Sequence, residues 1–242
     1  MSSDFRSPSR RNVLTTAAWA APVLAVATAT PLVAASPNRC GTMAWTGTTR
    51  AGDVRTGTAS TSSTSSSTIT VTRATLAGSP QNPTAVDGNF SPLTTAGTGA
   101  GPVGALRMWQ QSSAANVQAR QRLTITSSRP LRQVKFLVYD FGRASATTSY
   151  SDALGTSGFA AASIVRQNTT SATIVGAGTV ASPWSRSANW SAEPTSTVEV
   201  TLSSTTASVQ SFTLEYSNAA TTPVSGSGSQ QWISLSNMEF CF

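Results

Sequence analysis

Three stretches in the second half of the chain alternate apolar and polar residues with a period of two, the signature of a half-buried strand. In residues 197–202, Val198, Val200 and Leu202 alternate with Thr197, Glu199 and Thr201. In residues 211–216, Phe212, Leu214 and Tyr216 face one way and Ser211, Thr213 and Glu215 the other. Val209 is out of phase with that set and reads as the approach to the strand. In residues 133–140, Val134, Phe136 and Val138 share a face, while Leu137 and Tyr139 make the opposite face apolar too. Near the C-terminus Ile233 and Leu235 are in one phase, and Met238 and Phe240 in the other. A bulge near Ser236-Asn237 resets the register, or both faces are buried; the bulge is the reading preferred here.

Fainter strand patterns cover residues 42–46, 67–76, 104–111, 122–126, 158–165 and 172–175. Residues 56–68, TGTASTSSTSSST, are of low complexity and read as a loop or a polar edge strand. Residues 79–104 and 221–230 are turn-rich in Pro, Gly, Ser, Asn and Thr. No amphipathic helical stretch occurs beyond the first forty residues. About nine or ten strands with Gly/Pro/Ser punctuation predict an all-β fold, a two-sheet antiparallel β-sandwich of jelly-roll type.

Composition agrees, with Ser and Thr supplying 75 of 242 residues and charged residues only 10%. The N-terminus changes the picture. Arg6, Arg10 and Arg11 precede a weakly apolar run that ends in the small residues Val33-Ala34-Ala35, so residues 1–35 are expected to be a cleaved export signal. Ser9-Arg10-Arg11-Asn12-Val13-Leu14 is similar to a twin-arginine signal, with Val13 and Thr15 departing from it, so the general secretory route stays open. Pro22, Thr28, Thr30 and Pro31 dilute the run, against a membrane anchor. The expected product is one domain over residues 36–242, exported and without a membrane span.

Export makes sense of the two cysteines. Cys40 and Cys241 stand at opposite ends of the exported segment, and two cysteines in an oxidising compartment predict one disulfide. Closing a loop of about 200 residues stabilises by up to roughly 5 kcal/mol in the chain-entropy model. The first and last strands are then neighbours.

Candidate chemistry is sparse. The chain has no histidine, which removes Ser-His-Asp and Cys-His catalysis and the usual zinc sites. No glycine-rich phosphate loop lies between a strand and a helix, and no cofactor is expected. The acids of the exported segment are Asp53, Asp87, Asp140, Asp152, Glu193, Glu199, Glu215 and Glu239. A histidine-free glycosidase would need two of them facing one cleft. Glu199, Glu215 and Glu239 alternate out of apolar faces, as solvated residues do. Asp140 and Asp152 flank the loop DFGRASATTSYSD, a weak Ca²⁺ candidate set against ordinary Asp turn chemistry.

The segment SPWSRSANWSAEP holds Trp184, Arg186, Asn189 and Trp190. Flat indoles beside hydrogen-bonding side chains suit a saccharide ring; the competing reading is a lid of indoles over the core. Thirteen basic residues against eight acids leave residues 36–242 at a net charge of +5. Arg120, Arg122, Arg129, Arg132 and Lys135 gather around one predicted hairpin, a solvated face or a contact for anionic wall polymers. No aromatics interleave it, so nucleic acid is not an expected partner.

The run RRNVLTTAAWAAPVLAVATATPLVAAS, with the segments QRLTITSSRPLRQVKFLVYDF and QQWISLSNMEFCF, resembles secreted or surface β-sandwich proteins of high-GC Gram-positive bacteria. That resemblance implies an extracellular or wall-associated protein and carries over no catalytic residues. Three readings stay open: a binding or structural surface protein, a carbohydrate-binding module, and the glycosidase. An exposed apolar edge strand would favour an assembly subunit.

Overall fold

The computed structural model describes residues 39–62, 65–80, 87–96, 101–166, 173–187, 189, 196–205 and 209–242. The chain separates into two compact units, Met1–Pro37 and Asn38–Phe242. The first, with Arg10, Arg11 and Ala35 of the expected export signal, lies outside the described residues.

The fold is all-β. Its strands are β1 (Cys40–Met43), β2 (Thr49–Ala51), β3 (Val54–Ser62), β4 (Ser65–Ala77), β5 (Ser79–Pro80), β6 (Ser91–Pro92), β7 (Leu106–Gln111), β8 (Arg120–Leu131) and β9 (Gln133–Phe141). They continue as β10 (Asp152–Ser157), β11 (Ala161–Arg166), β12 (Ile174–Val175), β13 (Trp184–Arg186), β14 (Ser196–Ser203), β15 (Val209–Asn218), β16 (Gln231–Leu235) and β17 (Met238–Cys241). Among the described residues there are thus 17 strands rather than nine or ten. The excess comes partly from pieces of two or three residues, β2, β5, β6 and β13, too short to display a period of two, and partly from β3, expected as a loop or polar edge strand, and β10, whose sequence Asp-Ala-Leu-Gly-Thr-Ser shows no alternation. Among the described residues no helix is long and apolar enough to cross a membrane.

Every strand pairing is antiparallel, and together they form one continuous ladder. One arm runs β12–β13–β10–β15–β8–β4–β3. The other arm runs β11–β14–β9–β17, with β16 also on β9 and β7 beyond it. β1 joins the arms, pairing with β17 along its length and with β3 at Thr42–Ser60. The close approach requires glycine at position 41, where a Cβ would lie 2.5 Å from the Ser60 carbonyl oxygen. Inward residues of both arms, Ile69, Val71, Leu123, Ile125, Phe212 and Leu214 with Val134, Val138, Val200, Leu202 and Phe240, fill one core.

The disulfide joins the ends as expected. Cys40 and Cys241 face each other across β1 and β17 with Cα atoms 3.9 Å apart. The closing strands carry the expected register break. Between Leu235–Val138 and Glu239–Lys135 the terminal segment advances four residues against three on β9, so one residue is extra. Ile233, Leu235, Met238 and Phe240 are consequently all buried. Buried Trp45 secures the break, its indole N–H donating to Ser236 O at 2.7 Å while Asn237 Oδ1 accepts from its backbone N–H.

Three expectations need correction. Val209 lies inside β15 opposite Leu131, because a register shift before Ser211 turns its side chain inward. The described part of the low-complexity segment, residues 56–62 and 65–68, is strand and not an edge: β3 lies between β4 and β1/β2, with Gly57 and Ala59 inward. Its Thr residues are good strand formers, and its outward face accepts polar Thr and Ser side chains. The basic segment around Arg132 is no hairpin. β8 pairs with β4 and β15, β9 with β14, β16 and β17; a single residue separates them, too few for a hairpin turn, so the chain crosses from one arm to the other.

Candidate functional site

The crossing at Arg132 disperses the basic cluster. Lys135 goes with β9 to an ion pair with Glu199 at 3.1 Å. Arg129 stacks over Phe242, its Cζ 5.0 Å from the ring centroid. Arg120 and Arg122 stay on the outer face of β8, and both close on Glu215 of the neighbouring β15. Arg120 donates to Oε1 through Nε (3.0 Å) and Nη2; Arg122 donates to Oε2 through Nε (3.2 Å) and Nη2 (2.9 Å). Far from being solvated, the Glu215 side chain is only 5% exposed, whereas those of Arg120 and Arg122 are 41% and 39% exposed. The carboxylate takes four charge-assisted donors, and the rest of each guanidinium faces outward chemistry with one net positive charge between them.

Arg120 and Glu215 of this clamp line a concavity of about 290 Å³. Gln118 and Arg120 stand on one side, Val180, Ala181 and Pro183 on the other. The second wall exists because residues 176–183 fold over β10. Thr156 donates from N and Oγ1 to the Gly178 carbonyl at 2.7 and 2.9 Å, and a Cβ on Gly155 would lie 2.9 Å from Val180 Cα. The same outer face continues as two uncharged rows, Thr56–Thr70–Thr126–Ser211 and Thr72–Thr124–Thr213–Ser157, each residue opposite the next on the adjacent strand. Their hydroxyls repeat at about 4.8 Å across strands and about 6.7 Å along them. Planar ionic donors, a small apolar wall and ordered hydroxyls suit a ligand rich in hydroxyl or anionic oxygen; nothing in the arrangement offers an activated nucleophile.

The residues anticipated in the tryptophan segment fall elsewhere. Trp184 is 4% exposed, on β13 opposite Leu154, and its indole lies on Gly178, whose Cβ would come within 2.2 Å of the ring. An indole so placed has no face for a sugar. Asn189 is half-buried, and Trp190 lies outside the described residues. Arg186 is 1% exposed and lies in a polar group with buried Asp152 and Tyr216 and half-buried Asp140 and Tyr150. The structure thus unites the calcium candidates with Arg186. Asp152 accepts from the Tyr216 hydroxyl at 2.6 Å and from the Gly142 N–H at 2.8 Å, one donor on each oxygen. Burial pushes the Asp152 carboxyl well above the usual carboxylate range, and Asp140 adds to it, against those two hydrogen bonds and Arg186. Burial likewise pushes the Tyr216 phenol up, reinforced by Asp152.

Glu199 and Glu239 line a shallower concavity of about 200 Å³ together with Lys135. Their backbones, on β14 and β17, stand two strand spacings apart, roughly 10 Å, with Lys135 on β9 between them. The ammonium is paired to Glu199 at 3.1 Å. Among the described residues the one cluster of potential metal ligands is Cys40, Glu239 and Cys241, within 4.8 Å. Both sulfurs belong to the disulfide, which leaves a single carboxylate.

Sequence reasoning missed the Glu215 clamp. The outward phase of Glu215 was legible, as was the spacing Arg120-x-Arg122, but not that β15 and β8 are neighbours. Comparison with family models, with characterised proteins and with solved structures finds no match to this chain.

Proposed function

We propose that this chain is an exported or wall-associated binding protein, its two arms facing each other as the layers of a β-sandwich, and that it binds a cell-wall polymer or other glycan at the concavity over Glu215. The observation that carries the reading is the clamp: two half-exposed guanidinium groups are held by one buried carboxylate, and Arg120 and Glu215 line a concavity of about 290 Å³. Fixing both forks on Glu215 removes most of their rotamer freedom before any ligand arrives, which lowers the cost of binding. The disulfide supports an oxidising compartment, and the basic, weakly apolar N-terminus supports export. This relocates a carbohydrate-binding role from the tryptophan segment to the outer face of β8 and β15.

The test is retention of purified protein on isolated cell-wall polysaccharide and on a glycan array, wild type against Arg120→Ala. Arg122 still holds Glu215 in the variant, so the melting temperature should change little while retention falls roughly tenfold, the loss of one or two charge-assisted hydrogen bonds. Retention that Arg120→Ala leaves untouched, or no retention of wild type on any polymer, rejects the assignment.

A further inference from the structure

Beyond the ligand site, the ladder ends in an edge that lacks the usual protection. β11 pairs with β14 at each of its six residues and, among the described residues, with nothing on its other side. Other strands at the margins are blunted: β12 has two residues, β2 has three and carries Arg50, and β5 and β6 each end in proline. Short length, charge and proline are the devices that keep sheet edges from pairing with other chains. β11 has six residues, Ala-Ala-Ser-Ile-Val-Arg, with no proline and its one charge, Arg166, at its end, and the pairing with β14 runs without a register shift. Ala161, Ala162 and Ser163 are exposed, and Val165 is 57% exposed, while Ile164 packs on the core.

We propose that β11 is a strand-addition edge through which two copies of this chain join. A row of unpaired backbone N–H and C=O groups is matched by another strand and by little else. The strand is also compatible with itself. If both cores are to lie on the same side of the joined sheet, residues of like phase must face each other, because side chains alternate with period two. An antiparallel two-fold centred on Ser163 meets that condition. Ala162 then faces Ile164 of the second copy, Ala161 faces Val165, and Arg166 falls at the end, opposite no like charge. The contact is isologous and closed, so it gives a dimer and not a fibre. One strand pair buries less than the area typical of a stable complex, so the dimer should be weak and concentration-dependent.

Sedimentation of the purified protein over a hundredfold concentration range tests this, with hydrogen exchange read at residues 161–166. The expected result is a monomer–dimer equilibrium in which those amides gain protection as concentration rises. Val165→Lys should raise the dimer dissociation constant at least roughly tenfold at an unchanged melting temperature, since the side chain is exposed and a lysine on an edge opposes pairing. Ser163→Lys, at the centre of the contact, should act the same way. A protein monomeric throughout overturns the proposal. So does a dimer that both variants leave intact, or one whose residues 161–166 exchange as fast as in the monomer.

Discussion

Reducing the Cys40–Cys241 bond, or replacing both cysteines with alanine, separates the effect of the bond on the unfolded chain from its effect on the fold. The bond spans 201 residues, and the chain-entropy relation for a loop of about 200 residues gives roughly 5 kcal/mol, an upper figure because residual structure already restrains the unfolded chain. The folded state has its own hold on the termini. β1 pairs with β17 from Cys40–Cys241 to Met43–Met238, and Met43, Met238 and Phe240 are buried. The native structure should therefore survive reduction, with the loss residing in the unfolded ensemble. Guanidinium unfolding of oxidised and reduced protein should show a lower midpoint on reduction and a larger m-value, because the open chain exposes more surface. For a domain of this size the melting temperature should fall by roughly 10–20 °C. Equal midpoints would refute the reasoning outright. Loss of hydrogen-exchange protection in β1 and β17 under native conditions would refute it differently, by showing that the bond holds the strands themselves.

Trp184→Ala should cost about 3–5 kcal/mol, the range for a buried aromatic, seen as a lower denaturation midpoint; a change under 1 kcal/mol would contradict the packing of the indole on Gly178. Asp152 should make stability depend on pH. Its folded pKa lies above the ordinary 3.8, so the folded state holds an additional proton, and the contribution is full below about pH 4 and lost as pH rises through the folded pKa. Asp152→Asn loses one hydrogen-bond acceptor at every pH and, having no proton to release, lacks this slope; its stability relative to wild type should rise as pH is raised from about 4 through the folded pKa in urea titrations, and parallel curves would sink the assignment.

Local pattern was a sound guide where a strand carries a stripe of large apolar residues, and it missed β10 and misjudged β3, which carry none. β4, β9, β14 and β15 follow from stripes such as Val198-Val200-Leu202, because burying one face of a strand imposes a period of two regardless of which strand lies alongside. The break at Ser236-Asn237 was legible for the same reason: a phase change in the apolar residues is what an extra residue produces. The pairing of Cys40 with Cys241 followed from there being two cysteines and from the expectation of export. Strand count was not legible, because two- and three-residue strands such as β5 and β13 exist only through their partners.

The amino-acid sequence by itself thus determined that the chain is all-β, which residues point inward along its longer strands, and that its ends are tied together. Tertiary structure alone decided the order of the strands, the crossing at Arg132, the burial of Glu215 between Arg120 and Arg122, the gathering of Asp140, Asp152 and Arg186 around Tyr216, and the exposed edge at β11. The physical reason is range. Side-chain alternation is a property of a single strand, written in neighbouring residues; Glu215 meets Arg120 across 95 positions of sequence, and such a meeting depends on where every intervening strand has packed.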